Sequence, residues 1–208
     1  MRPRRGTLRQ TWTALRALLI LTALLGVVYP LAILGIGQAA FPSQARGSLL
    51  TIDGRVVGSA LLGQSFSDAD GNPLPQWFQP RPSAAGSASD GGYDGGASSG
   101  SNYGPENPDL VDTIAARLAA IAKSDGVPIS DIPADAVTAS GSGLDPEVSP
   151  AYALLQVRRV AAARGLAEPA VRGLVESMIQ ERDLGYLGEP TINVLELNIA
   201  LTRLDAGG

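Results

Sequence analysis

Polar and apolar positions change character abruptly near the start of this chain. No charged residue occurs from Ala17 to Ala45, and Leu18 to Leu34 is apolar apart from Thr22, Gly26, Tyr29 and Pro30. A helix crossing about 30 Å of hydrocarbon needs about 20 predominantly apolar residues, so the pattern predicts a transmembrane helix over 17–40. A cleavable signal peptide is the alternative, because Gln38-Ala39-Ala40 supplies small residues near a cut. A signal core is only about 7–15 residues long, and this run exceeds it. Trp12, Tyr29 and Phe41 stand where interfacial aromatics are found. Pro30 removes a backbone donor, a loss that membrane helices tolerate when neighbouring helices satisfy the freed carbonyl. The span is therefore expected to pack against a partner.

Beyond residue 41 the pattern is that of a folded domain. Two short apolar runs between Gly47 and Phe66 flank Asp53-Gly54, a pair suited to the positive φ angles of a type I′ turn, and predict a β-hairpin. Trp77 and Phe78 sit among Pro75, Pro80 and Pro82, which predicts an extended segment or docking surface with both aromatics exposed. Residues 84–104 are mostly Gly, Ser, Ala and Asp, a flexible or irregularly packed loop. A phosphate loop needs a following lysine and a strand-to-helix frame, and neither is present. Asp90 and Asp94 lack the oxygen spacing and closing glutamate of a calcium loop.

Helical punctuation then becomes regular. Asn107-Pro108 caps a helix carrying Leu110, Ile114, Leu118 and Ile121 on one face. Val137 to Ser140 reads as a short strand. Ser149-Pro150 opens a helix that ends at Gly165, Glu168-Pro169 opens another, and Asn193 with Glu196 forms a capping-box pattern before a helix with Val194, Leu197, Asn198 and Leu201 on one face. The predicted class is α+β. A basic arm (1–16) and one transmembrane helix (17–40) precede a helix-rich exterior domain (41–208) with a small β-sheet.

Charge orients this arrangement. Arg2, Arg4, Arg5, Arg9 and Arg16 precede the span, and no acidic residue occurs before Asp53. Basic flanks stay in the cytoplasm, so the chain is expected to be a single-pass protein of the cell membrane with its C-terminal domain outside. The net charge of −4 hides an asymmetry: past the arm, eleven basic residues face all twenty acidic ones, a balance of −9. Nucleic-acid binding needs clustered Lys and Arg and is not expected. With no Cys there are no disulfides or thiolate sites, and with no His the usual general base of hydrolase triads and the commonest transition-metal ligand are missing.

Val137-Thr138-Ala139-Ser140-Gly141-Ser142-Gly143-Leu144-Asp145-Pro146, then Ser149-Pro150 and Gln156 to Gly165, resemble the signature of the KdpC family, found in Kdp-type high-affinity potassium-transporting ATPases. Further blocks fall in that family's order, among them Tyr29-Pro30-Leu31, Gly63-Gln64-Ser65-Phe66, Arg81-Pro82-Ser83-Ala84, Ser101-Asn102-Tyr103-Gly104-Pro105 and Leu187-Gly188-Glu189-Pro190. Tyr103 stands where a leucine is usual. The resemblance implies a non-catalytic component beside three partners: a channel-like potassium-binding subunit, an ATP-hydrolysing P-type subunit and a small single-span subunit. It also implies a catalytic-chaperone role that raises ATP affinity, with Gln156 interacting with nucleotide. Topology opposes that last assignment, since Gln156 follows one span and belongs outside. Its alternative reading is a helix-surface or capping glutamine.

The acidic domain further suggests a cover over the potassium entrance that raises local cation concentration; carboxylates that merely solubilise the domain are the plainer alternative. Two other classes remain. One is a membrane-anchored exterior binding module. The other is a hydrolase using Ser140 or Ser142 with Lys123 as base, since Ser-Lys pairs need no histidine.

Overall fold

The computed structural model describes residues 5–86 and 92–206 and divides the chain into two compact units, Met1–Leu49 and Leu50–Gly208. The first unit is helical. Helix α1 (Arg5–Ala23) passes through a π-helical turn (Leu24–Val28) into α2 (Tyr29–Ala40), and a short α3 (Pro42–Ala45) follows. Helix therefore begins well before residue 17, and the described part of the arginine arm continues it. Thr7–Ala40 has a mean hydropathy of 2.5 over its most apolar window and none of that window is buried, so its apolar surface requires lipid or protein cover. The π turn sits just ahead of Pro30, and Tyr29 N donates to Leu24 O, five residues back. A proline ring clashes with the carbonyl four residues before it. Widening the preceding turn relieves that clash without breaking the helix.

The second unit opens with the predicted hairpin, β1 (Leu49–Ile52) and β2 (Arg55–Ser59). Asp53 and Gly54 have φ of 49° and 76°, the signs a type I′ turn demands. Helix α4 (Pro108–Asp125) is capped by Asn107, whose Oδ1 accepts from Asp109 N at 2.8 Å. Helix α5 (Pro150–Arg164) is capped by Ser149 Oγ, which accepts from Tyr152 N at 3.1 Å. After α6 (Glu168–Ser177), Asn193 Oδ1 accepts from Glu196 N at 3.1 Å and starts α7 (Val194–Ala206). A two-residue antiparallel ladder joins β3 (Glu147–Val148) to β4 (Ile192–Asn193). The core lies between α5, α6 and α7, where Val157, Val160, Val171, Val175, Leu197 and Leu201 are fully buried.

Two expectations are corrected. Val137 to Ser140 is not a strand. A 3₁₀ turn over Ala134–Ala136 precedes it, and Thr138 Oγ1 donates to Ala134 O at 2.8 Å, a local side-chain bond that competes with strand pairing. Trp77 and Phe78 are not an exposed pair either. Phe78 is 1% exposed in the core, and the Trp77 ring carries the Arg164 guanidinium 4.2 Å from its centroid.

Segment 84–104 is irregular and packed in its described parts, 84–86 and 92–104. Ala85 is fully buried, and the Tyr93 hydroxyl donates to Arg81 O. Gly143 is the tightest joint there: it has φ of 68°, and a Cβ would lie 2.5 Å from Ser99 O and 2.8 Å from Ala85 N. Gly143→Ala is expected to destabilise the domain by about 2–4 kcal/mol, through left-handed strain and backbone overlap. Gly173→Ala, in α6 with open space around it, should be neutral or stabilising. Urea unfolding of the two variants checks the contrast, and equal effects would contradict it.

Candidate functional site

The site is built on Gln156, which α5 carries inward. It is 1% exposed, so it is neither a helix-surface nor a capping residue. Its Oε1 accepts from Gln79 N at 2.6 Å and from Arg159 Nη2 at 2.7 Å, while its Nε2 donates to Gln79 O at 3.1 Å. The amide therefore pairs with both backbone groups of one residue, as a neighbouring strand would. Asn198 on α7 repeats the device one residue earlier. Its Oδ1 accepts from Phe78 N and its Nδ2 donates to Phe78 O, each at 3.0 Å. Two buried amides from two helices thus hold consecutive residues of an extended, proline-flanked segment whose backbone has no sheet to join. The Gln79 side chain passes the pattern on by donating to Phe66 O and Leu74 O, both at 3.0 Å.

Arg159 locks the assembly. Its Nε donates to Asp125 Oδ1 at 2.8 Å, and its Nη1 to Pro75 O at 2.7 Å and Trp77 O at 3.0 Å. The side chains of Arg159 and Asp125 are only 9% and 4% exposed. A buried ion pair is tolerated when further hydrogen bonds satisfy both ions, and the two carbonyls and Gln156 supply them on the arginine side.

A cleft of about 470 Å³ opens between segment 65–83, α4 and the start of α5, with Gln79 and Arg159 in its wall. Arg81 lines it: Nη1 donates to Asp145 Oδ2 at 2.8 Å, while the buried Nε has no partner. Arg117 lines it too, donating from Nη1 to Val137 O at 2.8 Å, and burial lowers its pKa. Tyr152 is 4% exposed and lines the cleft. Burial raises its pKa, with the negative charge of Asp125 adding to the effect.

The residues considered for other chemistry do not converge. Ser140 is buried, Ser142 Oγ accepts from Leu144 N at 3.1 Å, and Lys123 stands exposed on α4 without a bond to either serine. Asp94 Oδ1 closes a turn by accepting from Gly96 N at 2.8 Å, while Asp90 lies outside the described residues. Among the described residues there is no cluster of three or more metal-ligating acidic side chains.

A family model described as KdpC, the c chain of K+-transporting ATPase, matches residues 11–203. The chain belongs to the KdpC family. Curated relatives named potassium-transporting ATPase KdpC subunit agree. That of Kineococcus radiotolerans is 54% identical over 194 residues, covering 93% of each chain. That of Sorangium cellulosum is 54% identical over 188 residues, covering 90% of this chain and 94% of its own. That of Mycobacterium bovis is 49% identical over 197 residues, covering 94% and 99%. KdpC membership makes the chain part of a potassium-transporting ATPase complex.

Of the residues that build the site, sequence reasoning singles out Gln156 alone. Asn198 leaves a trace, as an amide on an otherwise apolar helix face. Arg159 leaves none, because its neighbour Arg158 is an exposed arginine of the same kind.

Proposed function

We propose that the chain is a non-catalytic accessory subunit of an ATP-driven high-affinity potassium importer. It contributes one transmembrane helix, with its N-terminus in the cytoplasm, and an exterior domain. Its partners are the channel-like, ATP-hydrolysing and small single-span subunits, and its role is to assemble and stabilise them. The observation that carries this reading is the family match, which runs from the first helix into α7.

Gln156 serves in this reading as an internal clamp. Three supports are its 1% exposure, the two bonds that already occupy its Oε1 and the parallel amide of Asn198. Any influence on the ATP affinity of the hydrolysing subunit then travels through contacts between subunits rather than through nucleotide held at Gln156.

The exterior domain also flanks the potassium entrance and concentrates cations there. Its excess of carboxylates supports this, with Glu106, Asp109 and Asp112 exposed at the start of α4. Fields of exposed charges reach only about 8 Å at physiological ionic strength. Neutralising these three together with Glu181, Asp183 and Glu189 should weaken the apparent potassium affinity of the complex at low ionic strength and leave it unchanged at high. Potassium-stimulated ATP hydrolysis measured at both salt levels is the check, and an affinity unaltered at both would overturn the steering role.

A further inference from the structure

We propose that the arm over residues 181–189 seats its tip, Leu184 with Tyr186 and Leu187, in an apolar recess edged by basic side chains on the exterior face of another subunit of the complex. The proposal rests on the accessory-subunit reading. At the root of the arm Gln180 N donates to Thr191 O at 2.8 Å and Thr191 N to Gln180 O at 3.0 Å, one residue before the buried β4. Beyond that pair, every residue from Glu181 to Glu189 is exposed. Leu184, Tyr186 and Leu187 are 81%, 69% and 49% exposed, and a cluster of large apolar side chains held out in water marks a contact surface, which a lone exposed leucine does not.

The tip is shaped in advance. Gly185 N donates to Arg182 O at 3.0 Å and Leu187 N to Asp183 O at 2.9 Å, while Leu184 and Gly185 have φ of 54° and 80°. A left-handed φ is costly for leucine and far less so for asparagine or glycine. The leucine therefore stands there for its apolar surface, and a loop already in shape binds without an ordering cost. Charge selects the occupant. Glu181, Asp183 and Glu189 surround the tip with Arg182 as the one basic residue, and Arg182 pairs with Glu189. Such a rim fits a recess edged by Lys or Arg, and it repels both an anionic lipid surface and a second copy of itself. An apolar and aromatic centre inside a charged rim is the anatomy of a protein–protein contact. Rim charges set partner choice and association rate more than the lifetime of the joint, so the anchors are the side chains to test.

The test uses the assembled complex, purified through the tagged full chain, with a photo-crosslinking phenylalanine analogue in place of Tyr186. Crosslinks from that position to another subunit are expected. Leu184→Asn should speed loss of the chain from the detergent-solubilised complex by about tenfold or more, the effect of removing an interface anchor. Its free form should melt no lower than the unsubstituted chain, because asparagine enters the left-handed region more readily than leucine. Tyr186→Ser should release the chain as fast, and Tyr186→Phe, which keeps the ring, should not. The proposal is overturned if crosslinks to another subunit are absent, whether or not lipid or a second copy of the chain is captured instead, or if Leu184→Asn and Tyr186→Ser leave the complex at the unsubstituted rate. Either result leaves the accessory reading standing, since the partners still co-purify. An unsubstituted chain that elutes without partners overturns that reading and this proposal together.

Discussion

Arg159→Met is expected to be the most damaging single substitution in the domain that follows the apolar helix, lowering its thermal midpoint by roughly 6–20 °C. Removing one member of a buried ion pair costs about 3–5 kcal/mol, because the other charge is stranded, and each kcal/mol moves the midpoint of a domain this size by about 2–4 °C. Here the stranded group is Asp125, 4% exposed, and at the same time the Pro75 carbonyl loses the Arg159 donor and the Trp77 carbonyl is left with Gln79 Nε2 alone. The methionine keeps most of the packing volume, so the loss is electrostatic rather than a cavity. Asp125→Leu combined with Arg159→Met should recover a substantial part of the loss, since an apolar pair leaves no buried charge. Near-ultraviolet circular dichroism of the full chain follows the transition. A midpoint within about 2 °C of the unsubstituted chain, less than the shift of a single kcal/mol, would contradict the role given to this arginine.

Gln156→Leu is expected to cost about 2–4 kcal/mol, because the backbone N–H and C=O of Gln79 lose the partners they have in a largely enclosed segment. Asn198→Leu should cost a similar amount, since it frees the same two groups on Phe78. The equivalence discriminates between roles. A clamp predicts that both substitutions lower the melting temperature alike and leave the ATP dependence of the assembled complex unchanged. A nucleotide contact predicts that Gln156→Leu raises the KM for ATP while Asn198→Leu does not. Steady-state ATP hydrolysis by the intact complex, measured beside thermal unfolding of each variant, separates the two.

Local signals are legible in the sequence where local chemistry decides structure. Asn107, Ser149 and Asn193 accept the capping bonds that their positions promise, and Asp53-Gly54 makes the hairpin turn. The apolar run from Leu18 to Leu34 likewise forms helix without help from tertiary contacts. Long-range chemistry is not legible. The bonds from Gln156 to Gln79 and from Asn198 to Phe78 span 77 and 120 residues, and no spacing rule relates such positions. The prolines around Trp77 and Phe78 bar regular structure and so suggest exposure. Yet two side-chain amides satisfy the backbone in place of a sheet, and that lets the aromatics turn inward. Val137 to Ser140 fails as a strand for a related reason, since β-branched composition favours strands only where a ladder partner exists, and here Thr138 bonds back to Ala134.

The proposed accessory role depends on the chain working inside a larger membrane assembly. Affinity purification of the tagged full chain from its own membranes in mild detergent tests this most directly. The account predicts that the channel-like, ATP-hydrolysing and small single-span subunits elute with it, together with potassium-stimulated ATP hydrolysis. Elution of the chain alone, as a stable monomer without that activity, would contradict it.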